Sequence, residues 1–274
     1  MITFPNCKIN LGLHILARRN DGFHDLETVF FPIPFEDVLE VERSNESTSL
    51  TLTGLEVEGK VENNLCMKAY ALLKSRYDLP LVDMRLHKQI PSGAGLGGGS
   101  SNAAFTLKLL NEKFNLNLSQ NHLVDLASEI GSDCSFFILN RPCVGTGKGH
   151  LLEPIELPQL HGLCALLVMP GIHISSAWAF QQVKPRQPVK SIEEIISMPI
   201  ANWQQQLTND FEQPIFETYP ALKEIKEQLY KGGARYASLS GSGSAMYGLF
   251  DQLPSLAFPP AYMVKTFVLN HMES

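Results

Sequence analysis

The 274-residue sequence predicts an α+β fold with a division near residue 155, on three observations. Apolar and polar residues alternate over the first sixteen or so positions. A glycine-dense turn at 91–99 leads into helix-type spacing. The region after a continuous apolar run at 163–169 shows several helical patterns before returning to strands. The length suffices for one large or two medium domains, each with a core of its own.

Each element has its own signal. Residues 2–16 read as extended, with Ile9, Leu11, Leu13 and Ile15 alternating with Asn10, Gly12 and His14. Val38–Val41 and Leu50–Thr53 continue as strands about the polar turn Ser44-Asn45-Glu46-Ser47. Asn63 or Asn64 can cap a helix carried by Leu65, Ala69, Leu72 and Leu73. A strand at 83–90, the glycine turn and a helix over about 99–115 follow, the last marked by Ala103, Leu107, Leu110 and Phe114. Ser119 caps a further helix with Leu123, Leu126 and Ile130, which stops at Gly131. Beyond Gly145 the chain reads as loops up to the buried strand at 163–169. The C-terminal part, 156–274, has the pattern of an α+β unit: helices near 175–182, 192–197, 211–217 and 220–230, then strands near 235–239, 244–250 and 262–268. Pro185 and Pro188 mark a loop rather than a linker, and no internal repeat is visible.

Composition excludes several functions. A net charge of −6 without a dense Lys/Arg run argues against a nucleic-acid partner, whereas a nucleotide-sized ligand needs only local donors. The longest apolar run, Leu163–Met169, is far short of the roughly 20 residues that span a bilayer. Lys8, Arg18 and Arg19 break up any apolar leader, so no membrane association and a cytoplasmic location are expected. Cys7, Cys66, Cys134, Cys143 and Cys164 form no Cys-x-x-Cys pair and read as buried small hydrophobes. The eight histidines, from His14 to His271, are scattered without a His-x-x-x-His helix, so no protein metal site is expected and a divalent ion would arrive with a nucleotide.

The segment Pro91, Ser92, Gly93, Ala94, Gly95, Leu96, Gly97, Gly98, Gly99, Ser100 and Ser101 is the richest in chemistry. Glycines leave main-chain N–H groups approachable, and the helix that follows adds free amides and the positive end of its dipole. That is the build of an anion site, with Ser100 and Ser101 in the first helical turn. Two other readings remain at this point. Gly93-Ala94-Gly95-Leu96-Gly97-Gly98 loosely satisfies the dinucleotide fingerprint, although the acid expected near position 118 is missing; a tight structural turn is the other. The Walker pattern is absent here and at Gly145-Thr146-Gly147-Lys148.

Three blocks in order, Lys8-Ile9-Asn10, the Pro91–Ala104 stretch and Leu239-Ser240-Gly241-Ser242-Gly243-Ser244, resemble the galactokinase, homoserine kinase, mevalonate kinase and phosphomevalonate kinase (GHMP) superfamily. The similarity runs over essentially the whole chain. Arg19-Asn20-Asp21-Gly22-Phe23-His24 and Gly131–Phe137 further resemble the branch whose acceptor is a cytidine-diphosphate-linked alcohol; homoserine- and mevalonate-type kinases and a non-catalytic nucleotide-binding relative are the alternatives. The resemblance implies a two-domain GHMP-kinase-like fold, with an N-terminal half (1–155) like ribosomal protein S5 domain 2 that binds ATP and catalyses. A ferredoxin-like α+β C-terminal half would lie on the substrate side. It implies transfer of the γ-phosphoryl group of ATP, carried with Mg2+, to the 2-hydroxyl of a cytidyl methylerythritol of the non-mevalonate isoprenoid route, by a monomer or weak homodimer.

Residue by residue, the resemblance makes Asp133 the general base, with Lys8 beside it to keep it ionised. A helix cap and an ordinary strand lysine are the plainer readings of the two. It sets Asn10 and His24 on the acceptor, Phe23 and Phe180 about its base, Ser240 and Gly241 in the turn beside the glycine loop, and Asn64 and Lys88 near the adenine. Taken alone, His24 could be a satisfied loop histidine and Phe180 core. Asn64 could be only a helix cap, Lys88 only the exposed side of a strand, and Ser240–Ser244 only a hairpin turn. Two departures stand out: Phe23 replaces the usual tyrosine, keeping a stacking face but losing a hydroxyl, and Ser132 and Ser135 stand where Ala and Pro are common.

Overall fold

The computed structural model describes residues 1–57 and 59–269; His271 lies outside them. In chain order the strands and helices begin with β1 (Ile2–Thr3), β2 (Asn6–Arg18), β3 (His24–Glu36), β4 (Val38–Arg43), β5 (Ser49–Gly54), α1 (Leu65–Arg76) and β6 (Val82–Lys88). There follow α2 (Gly98–Lys113), α3 (Gln120–Ile130), α4 (Cys134–Leu139), β7 (Cys143–Thr146), β8 (Leu151–Pro154) and β9 (Cys164–Met169). The last group is α5 (Ser176–Gln182), α6 (Ile192–Ile196), α7 (Trp203–Gln206), α8 (Glu212–Thr218), α9 (Pro220–Lys231), β10 (Tyr236–Leu239), β11 (Met246–Phe250) and β12 (Met263–Val268). Two compact units are interleaved along the chain. One gathers Met1–Cys7, Pro34–Ser92 and Gly97–Asn140; the other gathers Lys8–Ile33, Gly93–Leu96 and the described residues from Arg141 onward.

The first unit has a sheet of order β1-β4-β6-β5 and helices α1 to α4. β4 runs antiparallel to β6, pairing Val38 with His87 and Val41 with Met84, whereas β5 runs parallel to it. A parallel pair cannot be closed by a tight turn, and the long connection from β5 to β6 contains α1. Along β6 the side chains alternate: Val82, Met84, Leu86 and Lys88 are buried and Arg85 and His87 exposed. The period of two therefore puts Lys88 on the apolar side, where a lysine needs a partner. Asn64 caps α1, its Oδ1 accepting the Cys66 N–H at 2.9 Å. Ser119 caps α3 through the His122 N–H. Gly131 ends α3 with φ −178°, extended backbone rather than a left-handed cap.

The second unit contains a sheet of order β2-β3-β7-β8 and an antiparallel one of order β10-β11-β9-β12. In the latter Met246 pairs with Val168 across β11 and β9, and Val264 pairs with Val168 across β12 and β9. Leu166 and Val168 of β9 pack in one core with Leu222, Ile225 and Leu229 of α9, Leu239, Met246, and Leu13 and Ile15 of β2. α9 begins with Pro220, whose missing N–H is one a helix start leaves unbonded anyway. Most strands and helices expected from the pattern are present within a few residues. β3, β7 and β8 were not expected; 146–162 read as loop, whereas Cys143–Thr146 pairs with β3 and with β8. β2 also differs from its one-sided reading, because Lys8, Asn10 and His14 are as buried as the apolar residues between them.

Candidate active site

In the first unit, α2 starts where the glycine turn ends. Gly97 has φ 71° at the cap position, a left-handed conformation that a Cβ disfavours. Gly98, Gly99 and Ser100 thus supply amides without acceptors in the preceding turn. The Ser101 amide, expected among the free donors, is already bonded to the Gly97 carbonyl at 2.9 Å, because the helix begins one residue earlier than its pattern suggests. The Ser101 hydroxyl is fully buried and without a hydrogen-bond partner among the described residues. Gly99, Asn64, Ser92 and Lys88 share the wall of one cavity of about 210 Å³, together with Leu52, Val61 and Asn102. That volume is below the roughly 300–1,000 Å³ of drug-sized ligand sites and suits one ring system rather than a whole nucleotide.

Lys88 is not on the exposed side of its strand. It is 3% exposed, and its ammonium is ion-paired with the fully buried Asp37 and donates to Asn102 Oδ1 at 2.9 Å. Asp37 also accepts the Gln89 and Ile90 amides at 2.7 and 2.9 Å and the Asn102 amide at 2.8 Å. A buried carboxylate has about four acceptor sites, and all four are filled. Asp133 precedes α4 with helical backbone angles and makes no side-chain cap bond, so capping does not account for it. Ser135 is buried, its hydroxyl donating to the Val124 carbonyl at 3.1 Å and so tying α4 to α3. The Cys134 thiol is pushed up to about 12 by burial and Cys66 to about 11, which leaves both unreactive at neutral pH.

In the second unit, the Gly95 carbonyl is a point of convergence. Lys8 Nζ donates to it at 2.9 Å and to Asn10 Oδ1 at 2.6 Å, and the Ser240 hydroxyl donates to it at 2.9 Å. Gly95 has φ +76°, and a Cβ there would lie 1.9 Å from the Ser240 carbonyl oxygen, so no other residue fits. Lys8 is 3% exposed, with its ammonium 5.5 Å from the centre of the Phe30 ring. The Asn10 side-chain amide donates to Thr28 Oγ1 at 3.0 Å, and the Tyr247 hydroxyl holds the Asn10 carbonyl at 2.7 Å. Gly241 approaches Asn10 closely: a Cβ on it would be 3.3 Å from Asn10 Oδ1. Ala94 and Leu96 are buried, their carbonyls accepting the Ala245 and Lys8 amides. A Cβ on Gly93 would meet the His173 ring at 2.9 Å. Lys8, Asn10, Gly95 and Ser240 are thus one hydrogen-bonded group, with Gly241 packed close against Asn10.

The aromatic residues named by the resemblance lie in the second unit. Phe180 stacks on His24, with centroids 5.1 Å apart and planes 17° apart, and meets Phe211 edge-on. Phe23 is 55% exposed and lies under the Lys148 ammonium at 4.6 Å, with no ring contact to Phe180. Burial and the Arg18 charge hold the His24 pKa below the usual histidine value, so the ring is neutral at pH 7 and offers one donor and one acceptor.

Sequence reasoning missed Asp37, Asn102, Thr28 and Asn209. Asn209 is buried, and its amide donates to the Leu239 and Gly241 carbonyls at 2.9 and 2.8 Å, fixing the turn that carries Ser240. Asn102 lies inside the Pro91–Ala104 stretch with nothing to mark its role, and Asp37, Thr28 and Asn209 each adjoin another polar residue, so no local pattern singles them out. Among the described residues no cluster of three or more His, Cys, Asp or Glu could hold a metal ion, and no helix is long and apolar enough to cross a membrane.

Comparison with known proteins shows the family. Residues 64–141 match the GHMP kinases N terminal domain and residues 190–257 the GHMP kinases C terminal domain. A 4-diphosphocytidyl-2-C-methyl-D-erythritol kinase of Bacteroides fragilis is 49% identical over 272 residues, covering 97% of this chain and 99% of the relative. A crystal structure of 4-(cytidine 5'-diphospho)-2C-methyl-D-erythritol kinase superposes with a TM-score of 0.77 at 34% identity, over 91% of this chain and 90% of that one. The phosphomevalonate kinase of Streptococcus pneumoniae, solved with phosphomevalonate and AMPPNP, shares the fold alone: TM-score 0.67 and 17% identity, over 92% and 93% of the two chains. The fold is the two-domain α+β fold of these kinases. With full-length identity near one half, the chain belongs to the 4-diphosphocytidyl-2-C-methyl-D-erythritol kinase family of GHMP kinases.

Proposed function

We propose that this chain transfers the γ-phosphoryl group of ATP to the 2-hydroxyl of 4-diphosphocytidyl-2-C-methyl-D-erythritol, a step of non-mevalonate isoprenoid precursor synthesis. The observation that carries the reading is the set of unbonded amides at Gly98, Gly99 and Ser100, opened by a left-handed Gly97, in a chain of this family. Their donors fit a polyphosphate. Phosphoryl transfer has a loose transition state with charge spread over the equatorial oxygens, and fixed amides stabilise that charge without reorganising. Asn64, Lys88, Ser92 and Gly99 wall the pocket assigned to the adenine end. Mg2+ accompanies the phosphates and neutralises part of their charge.

Asp133 serves as the base that accepts the acceptor's hydroxyl proton, and the Lys8 ammonium favours the developing alkoxide. Asn10, Ser240 and Gly241 line the acceptor, whose cytosine stacks on the His24–Phe180 pair while the exposed Phe23 ring gains contact by folding over it. The functional division of the chain is placed near residue 155, the protein acting as a monomer or weak dimer without nucleic acid or membrane. Coupled ADP release over a panel of acceptors tests the reading. Turnover is expected with the cytidyl alcohol alone; turnover with mevalonate or homoserine instead would overturn the acceptor assignment. Asp133→Asn is expected to lower kcat by roughly 10²- to 10⁴-fold while AMPPNP affinity is unchanged. Near-normal turnover would remove Asp133 as base.

A further inference from the structure

Asp37 lies outside every motif used so far, yet it is the most saturated polar group in the first unit. Its Oδ1 accepts the amides of Gln89 and Ile90, the two residues that lead from β6 into the glycine turn. Its Oδ2 takes the Lys88 ammonium and the side-chain amide of Asn102 on α2, and Asn102 returns its own carbonyl to Lys88. The three side chains are 0%, 3% and 2% exposed respectively. Lys88 has three N–H donors and commits two of them to this ring; among the described residues the third has no partner. Lys88 also lines the cavity with Ser92 and Gly99, and a Cβ on Gly98 would be 3.3 Å from Nζ. The ammonium is therefore held against the first turn of α2, at the positive end of a helix, where a lone buried cation would be unstable. Asp37 is what makes that position tenable.

We infer that Asp37, assisted by Asn102, is a positioning residue for nucleotide binding: it fixes the Lys88 ammonium beneath the α2 N-terminus, leaving one N–H for an acceptor atom of the nucleotide. The inference rests on the reading that the glycine turn and its cavity hold ATP. Asp37→Asn separates positioning from packing, because the shape is kept and Oδ1 can still accept the two backbone amides. Its new NH₂ then faces the donors of Lys88 and Asn102, and the ammonium loses its counter-charge.

The test is a double-substitution cycle of Asp37→Asn and Lys88→Met, read by AMPPNP affinity, KM for each substrate and melting temperature. Asp37→Asn is expected to weaken AMPPNP binding and raise KM for ATP by on the order of 10- to 10²-fold, with the acceptor KM within twofold. In the Lys88→Met background the same change should alter AMPPNP affinity by less than about threefold, since the group through which Asp37 acts is gone. Independent, multiplying effects of the two substitutions would overturn the inference. So would equal changes in both KM values, or a lower melting temperature with unaltered AMPPNP affinity. If Asp37→Asn does not fold, Asn102→Ala, which leaves the ion pair in place, should still weaken AMPPNP several-fold without touching the acceptor KM; unchanged affinity there also overturns it. Wild-type protein that binds no AMPPNP would remove the ATP reading and this inference together, whereas normal wild-type binding with unaffected variants removes the inference alone.

Discussion

Gly95→Ala tests the point where Lys8 and the Ser240 turn meet. A Cβ at this position would sit 1.9 Å from the Ser240 carbonyl oxygen, a backbone atom that cannot rotate away, and φ +76° is strained for any L-residue. The conformation alone costs roughly 1–2 kcal/mol. Relieving the overlap moves the Gly95 carbonyl off its two donors: the Ser240 hydroxyl, about 1 kcal/mol, and the Lys8 ammonium, about 1.5–3 kcal/mol for a charged donor. The sum is roughly 3–6 kcal/mol, a large share of the about 5–15 kcal/mol that holds a domain folded. At roughly 2–4 °C per kcal/mol for a chain of this size, the melting temperature should fall by on the order of 10 °C. Gly99→Ala is the matched control, since its Cβ would meet nothing closer than Leu65 at 3.7 Å and its backbone is helical. That variant should melt no lower than wild type, alanine being favoured over glycine in a helix by roughly 0.5–1 kcal/mol. Differential scanning calorimetry of the two, with coupled ADP release, reads both effects. If Gly95→Ala melts within 2 °C of wild type, by an order-of-magnitude criterion, and turns over normally, the convergence on the Gly95 carbonyl does not organise the site.

Other outcomes follow from the same geometry. Asn209→Ala leaves two carbonyls and the Phe211 amide without their partner in a buried place, and should cost about 2–5 kcal/mol by urea denaturation while raising the acceptor KM more than that for ATP. Burial holds the His14 pKa below the ordinary 6.5, outweighing the nearby Asp210 and Glu27 charges. Its folded value lying below the unfolded one, stability is intact above about pH 6.5 and declines as the pH falls towards the folded value; thermal melts from pH 7 to 5.5 should drop less in His14→Gln. All five cysteines are buried, so iodoacetamide at pH 8 should label the native protein far more slowly than the urea-unfolded chain, as mass spectrometry would show.

The glycine turn, its helix and most of the C-terminal elements are legible because each carries a local signal: glycine density, a period near 3.6, or a bounded apolar run. β3 is not, because it is buried along most of its length and so lacks alternation, and Pro32 and Pro34 argue against a strand on local grounds. β2 has alternation, but it misleads, since both faces of that strand are covered and its polar residues Lys8, Asn10 and His14 are buried. Lys8, Asn10, Ser240 and Lys88 could be named from motifs. Their holders could not, since Asp37 and Asn209 fall in no motif and their partners lie far along the chain: Asp37 is 51 positions from Lys88 and Asn209 is 32 from Gly241.

β12 has one further role. It lies at the margin of its sheet and pairs with all six residues of β9, whose sequence Cys-Ala-Leu-Leu-Val-Met holds no charge and no proline. Were β12 to peel away, that six-residue stretch would offer bare amides and carbonyls to any passing chain, with the composition that seeds cross-β stacking. Lys265, exposed on β12, sets a charged residue on that rim instead. Preparations shortened before Met263 should therefore be lost to precipitation well before any loss of catalytic competence could be measured.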